Sequence, residues 1–322
     1  MITSAHTEMK CEYIPLSVIV TRFSMKGGMA MHTKETFCFA ETDELSLYID
    51  AYIPDKPNGA AVLYYHGGAG IVGSRTDIMA SELFLNRGFT YLSPDYRLAP
   101  EVPLQTLVGD TEAAYAWLMG EGARRFHIDP ARVGIAGCSF GGYLSQLLAV
   151  RLRPRPVCAL SYAGYGDLMG AMYAKPDPFY ISTQPAYTEA YALAQRSPAP
   201  LTAPDEKDRM AMYFRARQLG AWNQLVAGLD PVSDFDALLP YCPVRMMTAD
   251  TPPVFLIHGE ADTDVSPCQA YQTAAMLASL DVRHRLIMLP CGHGVYGEGA
   301  DEALRASVDF LAGFTGAESP NE

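Results

Sequence analysis

The sequence predicts an α/β protein built on a mostly parallel β-sheet flanked by helices. From about residue 35 onward, short apolar runs alternate with segments of helical periodicity, which is typical of a sheet with helices on both faces. The runs are continuously apolar rather than alternating, as expected for strands buried on both sides. The 322-residue chain has 49% hydrophobic and 19% charged residues, which indicates a sizeable core.

Eight strands are predicted, six of them buried and two forming an antiparallel hairpin at the sheet edge. The hairpin strands are expected at 36–40 and 45–53, and the buried strands at 61–65, 90–93, 133–136, 157–162, 254–257 and 285–289. Helices are expected at 76–87, 104–119, 141–152 and 301–314, with another beginning at Ser266 and Pro267. Gly88 and Gly120 are interpreted as helix ends.

About ninety residues separate the strand ending near residue 162 from the strand beginning near residue 254, far more than a simple crossover needs. This stretch is rich in Met, Tyr and Pro. It predicts an inserted, mostly helical cap at 163–252, with a core domain at 1–162 and 253–322 and residues 1–35 as a further contribution to the cap. Most cap aromatics are expected to form the cap's own core, and a few to face a substrate cavity.

The sequence G-C-S-F-G at residues 137–141 follows a predicted strand and precedes a predicted helix. That setting is required of a nucleophile elbow, in which a tight turn exposes the central serine. Ser139 is therefore the candidate nucleophile. The alternative is a helix-entry turn of small residues without chemistry. Cys138 is interpreted as a small buried filler.

A glycine-rich run, H-G-G-A-G at residues 66–70, ends the strand predicted at 61–65. Acyl transfer creates an oxyanion that needs several N–H donors, and glycines let the backbone approach it. Gly68 and Ala69 are the candidate donors, joined by Phe140 at the start of the helix after the elbow. His66 is interpreted as a structural residue that holds the loop.

Candidates for the acid and the base follow the last two predicted strands. Asp262 lies just past the strand at 254–257, and His293 follows the strand at 285–289. The order serine, acid, histidine is the one used after a nucleophile elbow of this kind. Asp264 lies two positions from Asp262 and stays open as the alternative acid. His258 is interpreted as structural.

Two motifs resemble the hormone-sensitive-lipase-type esterases of the α/β-hydrolase superfamily. Residues 66–73 are similar to that family's H-G-G-[GA]-x-x-x-G loop, and residues 95–101, D-Y-R-L-A-P-E, match its segment of that sequence. The elbow departs from the usual G-D-S-A-G. Residues 258–265 look more like the H-G-x-x-D-x-x-V of prolyl-oligopeptidase-type hydrolases. The resemblance implies the α/β-hydrolase fold and a Ser139–Asp262–His293 triad, and leaves the substrate class open.

The formal net charge of −12 disfavours binding to nucleic acid phosphates. Seven scattered cysteines without a C-x-x-C pair favour reduced thiols over disulfides or a zinc site. Charged residues interrupt the N-terminal stretch where a signal peptide needs an apolar run, and no run reaches the roughly 18 apolar residues of a membrane span. A cytoplasmic protein without metal or cofactor is expected.

The leading hypothesis is a serine hydrolase that cleaves a carboxylic ester of a small or medium organic molecule through an acyl-enzyme. A second hypothesis is a specialised enzyme of a natural-product pathway, acting on a lactone, an amide, a C–C bond or a bulky polyketide-like substrate. A third is a non-catalytic ligand receptor on the same scaffold, which the intact candidate triad disfavours. A homodimer is compatible with the sequence, which does not indicate the oligomeric state.

Overall fold

The computed structural model describes residues 21–23, 32–204 and 206–317. Their strands form one sheet of nine strands in the order β1-β2-β3-β5-β4-β6-β7-β8-β9. The strands are β1 Thr21–Phe23, β2 His32–Glu41, β3 Ser46–Pro54, β4 Ala61–Tyr65, β5 Thr90–Pro94, β6 Val133–Cys138, β7 Ala159–Tyr162, β8 Val254–Gly259 and β9 His284–Leu289.

The predicted α/β-hydrolase fold with a mostly parallel sheet is confirmed. Strands β5, β4, β6, β7, β8 and β9 run parallel, whereas β2 and β3 form the antiparallel edge hairpin and β3 pairs antiparallel with β5. All eight predicted strands are present, and the short β1 adds a ninth at that edge. Of residues 1–35, only 21–23 and 32–35 are described, so the prediction that this segment joins the cap lies mostly outside the described residues.

Helices cover both faces of the sheet. Those flanking it are Ser81–Asn86, Leu104–Trp117, Ala123–Phe126, Phe140–Arg151, Cys268–Ser279 and Ala300–Thr315. One apolar cluster joins Leu104–Trp117 and Phe140–Arg151 to one face, and a second joins Ser81–Asn86 and Ala300–Thr315 to the other. All five central parallel strands are almost wholly buried, which explains their continuously apolar sequences.

Two predicted helix boundaries are wrong for local reasons. The helix expected at 76–87 begins only at Ser81, because Ala80 adopts a left-handed conformation. Before it, Asp77 accepts a hydrogen bond from the Ser74 N–H (2.7 Å), so a side-chain turn competes with the helix. Gly120 does not end the second helix, which passes through a π-turn at Leu118–Gly122 into Ala123–Phe126.

The stretch between β7 and β8 is mostly helical. Its helices are Ala171–Ala174, Pro178–Thr183, Glu189–Ala194, Glu206–Leu219, Trp222–Ala227, Phe235–Leu238 and Pro243–Met246, with a 3₁₀ turn at Leu239–Tyr241. Within the described part of the chain, no helix combines the length and the apolar character that crossing a membrane requires.

Candidate active site

The candidate nucleophile lies at a strained turn between a strand and a helix. Ser139 directly follows β6 and directly precedes the helix Phe140–Arg151, with φ +56° and ψ −117°. Its N–H donates to the Tyr162 carbonyl of the neighbouring strand (2.7 Å), which anchors the turn. A non-glycine residue at positive φ stores strain, and this strain directs the hydroxyl away from the sheet.

The glycines on either side of the turn are required by close backbone approaches. A Cβ added at Gly137 would lie 2.2 Å from the Gly141 carbonyl oxygen, and one added at Gly141 would lie 1.9 Å from the Tyr65 carbonyl oxygen. Both obstacles are backbone atoms and cannot rotate away. The elbow therefore has room only for hydrogen at both positions.

Substituting Gly137→Ala is expected to lower the free energy of unfolding by about 3 kcal/mol, because the backbone of the elbow must shift to admit the methyl group. Gly109→Ala is the matched control. Gly109 is exposed inside the helix Leu104–Trp117 with nothing near an added Cβ, so we expect it to be neutral or stabilising by about 0.5–1 kcal/mol. Urea denaturation measures both, and equal stabilities of the two variants would contradict this account.

The candidate base and acid form a continuous hydrogen-bonded chain with the serine. His293 Nε2 lies 2.9 Å from Ser139 Oγ, and His293 Nδ1 lies 2.8 Å from Asp262 Oδ2. His293 lies on the loop after β9 and Asp262 on the loop after β8, so both reach the carboxyl edge of the sheet. The three residues singled out in the sequence therefore meet at this edge.

The surroundings keep Asp262 ionised. Burial raises the pKa of Asp262, but hydrogen bonds from His258 and His293, the charge of His293 and the Val265 N–H lower it more, so the pKa lies well below its ordinary value. Asp262 Oδ1 also accepts from the Asp264 N–H (2.9 Å). The carboxylate is thus fixed in place with one oxygen directed at the histidine.

His293 is surrounded by charges that favour its protonated form. Burial, and to a smaller extent the charge of Arg217, lower the pKa of His293. The hydrogen bond to Asp262 and the charges of Asp264 and Asp262 raise it more, so the pKa of His293 lies above its ordinary value. A base that must be neutral to accept a proton is then available only at higher pH.

Asp264 occupies a different side of the histidine from Asp262. Its Oδ2 lies 3.3 Å from His293 Nε2, the nitrogen that faces Ser139. Asp262 alone contacts Nδ1, so of the two carboxylates left open by the sequence, only Asp262 has the geometry of an orienting acid.

The glycine-rich loop after β4 is held by the D-Y-R-L-A-P-E segment. The His66 ring stacks on the Tyr96 ring at 4.1 Å between centroids, and the Tyr96 hydroxyl lies 3.0 Å from His66 Nδ1. Burial lowers the pKa of His66 to about 4, so the ring is neutral. The Ala99 N–H donates to the Gly70 carbonyl (2.8 Å). The two sequence motifs are therefore one structural unit.

Two of the three candidate oxyanion donors line the same cavity as Ser139. These two donors are Gly68 and Ala69, and both residues have positive φ. Phe140 is the first residue of its helix, where the N–H has no acceptor within the helix. No described residue accepts a hydrogen bond from the N–H of Gly68, Ala69 or Phe140. These N–H groups are free to bind a ligand oxygen.

A cavity of about 470 Å³ opens onto the serine and the histidine. Met210 and Tyr213, from the helix Glu206–Leu219 of the insertion, contribute to its wall. The lining residues are Tyr64, Gly67, Gly68, Ala69, Asp77, Ile78, Met79, Cys138, Ser139, Met210, Tyr213, Asp264, His293 and Gly294. The described lining contains two carboxylates and no Lys or Arg.

Two further residues considered in the sequence, His258 and Cys138, lie beside the candidate triad. His258 is buried, and its Nε2 lies 2.9 Å from the Val265 carbonyl oxygen and 3.2 Å from Asp262 Oδ2. Cys138 reaches the cavity wall, but burial raises the pKa of its thiol to about 12, which keeps it protonated. The cysteines in the described ranges are all free, and those ranges contain no His, Cys, Asp or Glu cluster that could hold a metal.

Two buried arginines of the insertion escaped the sequence interpretation. Arg209 pairs with Glu101 and donates to the Ile71 (3.0 Å) and Ala99 (2.8 Å) carbonyls, so it ties the insertion to the glycine-rich loop. Arg217 pairs with Asp264 (2.8 Å) and Asp177 (2.6 Å). The sequence places both arginines in a segment predicted to be mostly helical but does not show which residues they contact, because all these partners lie at least forty residues away along the chain.

A family model described as the alpha/beta hydrolase fold matches residues 62–294. The chain belongs to the α/β-hydrolase family. The membership of the α/β-hydrolase superfamily that the motifs implied is confirmed. The matched range contains the glycine-rich loop, the elbow and the loops that carry Asp262 and His293.

Curated relatives of this α/β-hydrolase fall into two groups. The carboxylesterase NlhH of Mycobacterium tuberculosis is 28% identical over 240 residues, which cover 73% of the chain and 66% of that protein. The non-reducing polyketide synthase trt4 of Aspergillus terreus is 29% identical over 292 residues, covering 74% of the chain but 12% of the synthase. The chain therefore spans less than two thirds of either relative.

Solved structures support the fold. A Staphylococcus aureus protein described as of unknown function superimposes with a TM-score of 0.73 at 20% identity, covering 87% of this α/β-hydrolase and 99% of that chain. The carboxylesterase EstE1, cloned from a metagenomic library, superimposes with a TM-score of 0.65 at 20% identity, covering 92% of both chains.

Proposed function

We propose that this α/β-hydrolase cleaves a carboxylic ester of a small or medium organic molecule through an acyl-enzyme. The observation that carries the proposal is the hydrogen-bonded chain from Ser139 through His293 to Asp262, which opens into the cavity. Its esterase-type relatives, the carboxylesterase NlhH among them, support ester cleavage. The proposal gives a role to each site residue.

Ser139 attacks the ester carbonyl while His293 accepts its proton at Nε2. Asp262 holds the Nδ1 proton and stabilises the imidazolium that forms. The N–H groups of Gly68, Ala69 and Phe140 stabilise the oxyanion, the last at a helix N-terminus where the dipole favours negative charge. His293 then protonates the leaving alcohol, and a water molecule hydrolyses the acyl-enzyme by the same steps.

Residues 163–252 act in this proposal as a cap over the carboxyl edge of the sheet, with 1–162 and 253–322 as the core domain. Met210 and Tyr213 then form the substrate-facing wall of the cap. Of the other aromatics of the segment, Phe179, Tyr191 and Phe235 are exposed. Four are buried, namely Tyr165, Tyr173, Tyr180 and Trp222, and the rings of Tyr173 and Trp222 lie 4.7 Å apart between centroids. They hold the cap together and leave specificity to the few residues at the cavity.

A second candidate function has support from the polyketide synthase relatives. Synthases from Aspergillus terreus, Penicillium roqueforti and Emericella nidulans each contain a stretch similar to this chain, which covers 12–14% of their length. The same triad chemistry would serve a specialised enzyme of a natural-product pathway, acting on a lactone, an amide, a C–C bond or a bulky polyketide-like substrate.

A substrate panel separates the two candidates. Short aryl esters are tested beside lactones, amides and metabolite extracts, with turnover followed by mass spectrometry. Efficient turnover of short esters supports the simple esterase. Poor turnover of all short esters beside efficient conversion of one metabolite supports the specialised enzyme. Absence of turnover together with tight binding of a small molecule would support a receptor.

The elevated pKa of His293 predicts the pH dependence of catalysis. Neutral His293 is the active base, so kcat/KM falls as pH decreases through the pKa of the free enzyme. Because that pKa is raised, we expect the midpoint of the acid limb above the ordinary histidine value of about 6.5. A pH profile of kcat/KM for a neutral ester measures it, and a midpoint below that value would contradict the arrangement of charges around His293.

A further inference from the structure

The two oxygens of Asp264 have unequal surroundings. Oδ1 accepts hydrogen bonds from the Tyr180 hydroxyl (2.5 Å), from Arg217 Nη1 (2.8 Å) and from the Tyr213 hydroxyl. Oδ2 has one polar contact among the described residues, the His293 Nε2 at 3.3 Å. One oxygen is therefore saturated with donors, and the other faces the reacting atoms.

That single contact does not supply a proton to Oδ2 while His293 is neutral, the form that acts as the base. The Nδ1 proton of His293 is directed at Asp262, so in the neutral ring Nε2 is an acceptor and binds the Ser139 hydroxyl. Oδ2 is thus a charged acceptor without a donor, at the wall of the cavity. A hydrogen-bond acceptor at the cavity wall without a donor is expected to strengthen the binding of a ligand that carries a hydrogen-bond donor.

The orientation of Asp264 is fixed by a buried cluster. Arg217 is 1% exposed, its charge is shared between Asp264 and Asp177, and it lies over the Tyr180 ring at 4.6 Å from the centroid. The Arg217 Nη1 also donates to the Asp264 main-chain carbonyl (2.9 Å). This carboxylate is therefore preorganised, and binding to it costs little conformational entropy.

We infer that Asp264 Oδ2 binds a hydroxyl or protonated amine carried by the leaving alcohol of the substrate. His293 Nε2 delivers a proton to the leaving oxygen, so the carboxylate beside Nε2 lies beside the alcohol part of the ester rather than the acyl chain. The substrate class is then monoesters of diols, polyols or amino alcohols. The second cavity carboxylate, Asp77, and the lack of Lys or Arg in the described lining disfavour anionic alcohols. This inference rests on the proposed ester hydrolysis.

Matched butyrate esters test the inference. We expect wild-type kcat/KM for 2-hydroxyethyl butyrate to exceed that for 2-methoxyethyl butyrate and propyl butyrate by about 10- to 100-fold, the range for one hydrogen bond to a charged group. For the amine arm, protonated 2-(dimethylamino)ethyl butyrate carries an N–H donor, whereas butyrylcholine carries only the charge. A higher kcat/KM for 2-(dimethylamino)ethyl butyrate than for butyrylcholine would indicate a hydrogen bond to Asp264 rather than electrostatic attraction alone.

The variant Asp264→Asn should reduce these ratios towards one, whereas Asp77→Asn, which alters the other cavity carboxylate, should preserve them. Wild-type ratios near one would overturn the inference without depending on how any variant folds. The inference would also be overturned if Asp264→Asn lost the same fraction of kcat/KM on every ester and shifted the pH profile. Asp264 would then act only through His293.

Failure of the inference is distinguishable from failure of the proposed function. If Ser139 reacts with a fluorophosphonate and the esters turn over without discrimination, the inference alone is wrong. If no ester turns over and Ser139 is not labelled, the proposed function is wrong and the inference falls with it.

Discussion

The variant Ser139→Ala is expected to lower kcat for 4-nitrophenyl butyrate by about 10⁶-fold, the loss found when the nucleophile of an intact triad is removed. The reason is geometric. Ser139 Oγ is 2.9 Å from His293 Nε2 at a strained turn, and no neighbouring group on the elbow offers a comparable nucleophile. Burial keeps the adjacent Cys138 thiol protonated. Steady-state kinetics with active-site titration measures the change.

Cys138→Ala is the matched control for the nucleophile, because it alters the neighbouring residue of the same turn. It should retain most of the turnover. If Ser139→Ala kept activity within about tenfold of the wild type, or if Cys138→Ala lost as much as Ser139→Ala, the serine assignment would be wrong.

The variant Asp262→Asn is expected to lower kcat by about 10⁴-fold. Asp262 Oδ1 accepts the N–H groups of Asp264 (2.9 Å) and Val265 (2.8 Å), and an amide oxygen would keep that place. The amide NH₂ would then face His293 Nδ1 and force the ring proton onto Nε2. In that tautomer the histidine cannot accept the proton of Ser139, although the loop keeps its shape.

Asp264→Asn is the comparison that decides between the two neighbouring carboxylates. It leaves the Nδ1 contact intact, so on esters without a donor in the alcohol we expect a much smaller loss in kcat than for Asp262→Asn. A larger loss for Asp264→Asn would reverse the assignment of the acid. Thermal denaturation of both variants shows whether a loss reflects unfolding.

The fold and the core of the candidate site were predictable because their signals are short and local. Each buried strand is one apolar run. The elbow is five consecutive residues, and a Cβ added at either of its glycines would lie about 2 Å from a backbone oxygen. The candidate acid and base then follow from the order of the residues along the chain, because they lie on the loops after β8 and β9. Such signals survive in a single sequence, since each depends on residues adjacent in the chain.

The sequence favours Asp262 as the acid but leaves Asp264 open, because the two residues have almost the same sequence context. Both follow β8 within a few residues, and only the turn formed by Asp262 Oδ1 with the next N–H groups directs one to Nδ1 and the other to Nε2. The partners that orient Asp264 include Arg217 and Tyr180, far away along the chain. Helix periodicity reveals which face is polar but not which distant carboxylate it meets.

The most direct test of the central claim is to map the residue that reacts with a fluorophosphonate. Wild-type protein is labelled, digested and analysed by mass spectrometry beside Ser139→Ala and Cys138→Ala. We predict one adduct on Ser139 in the wild type and in Cys138→Ala, and none in Ser139→Ala. An adduct on another residue, or undiminished labelling of Ser139→Ala, would contradict the proposed serine hydrolase.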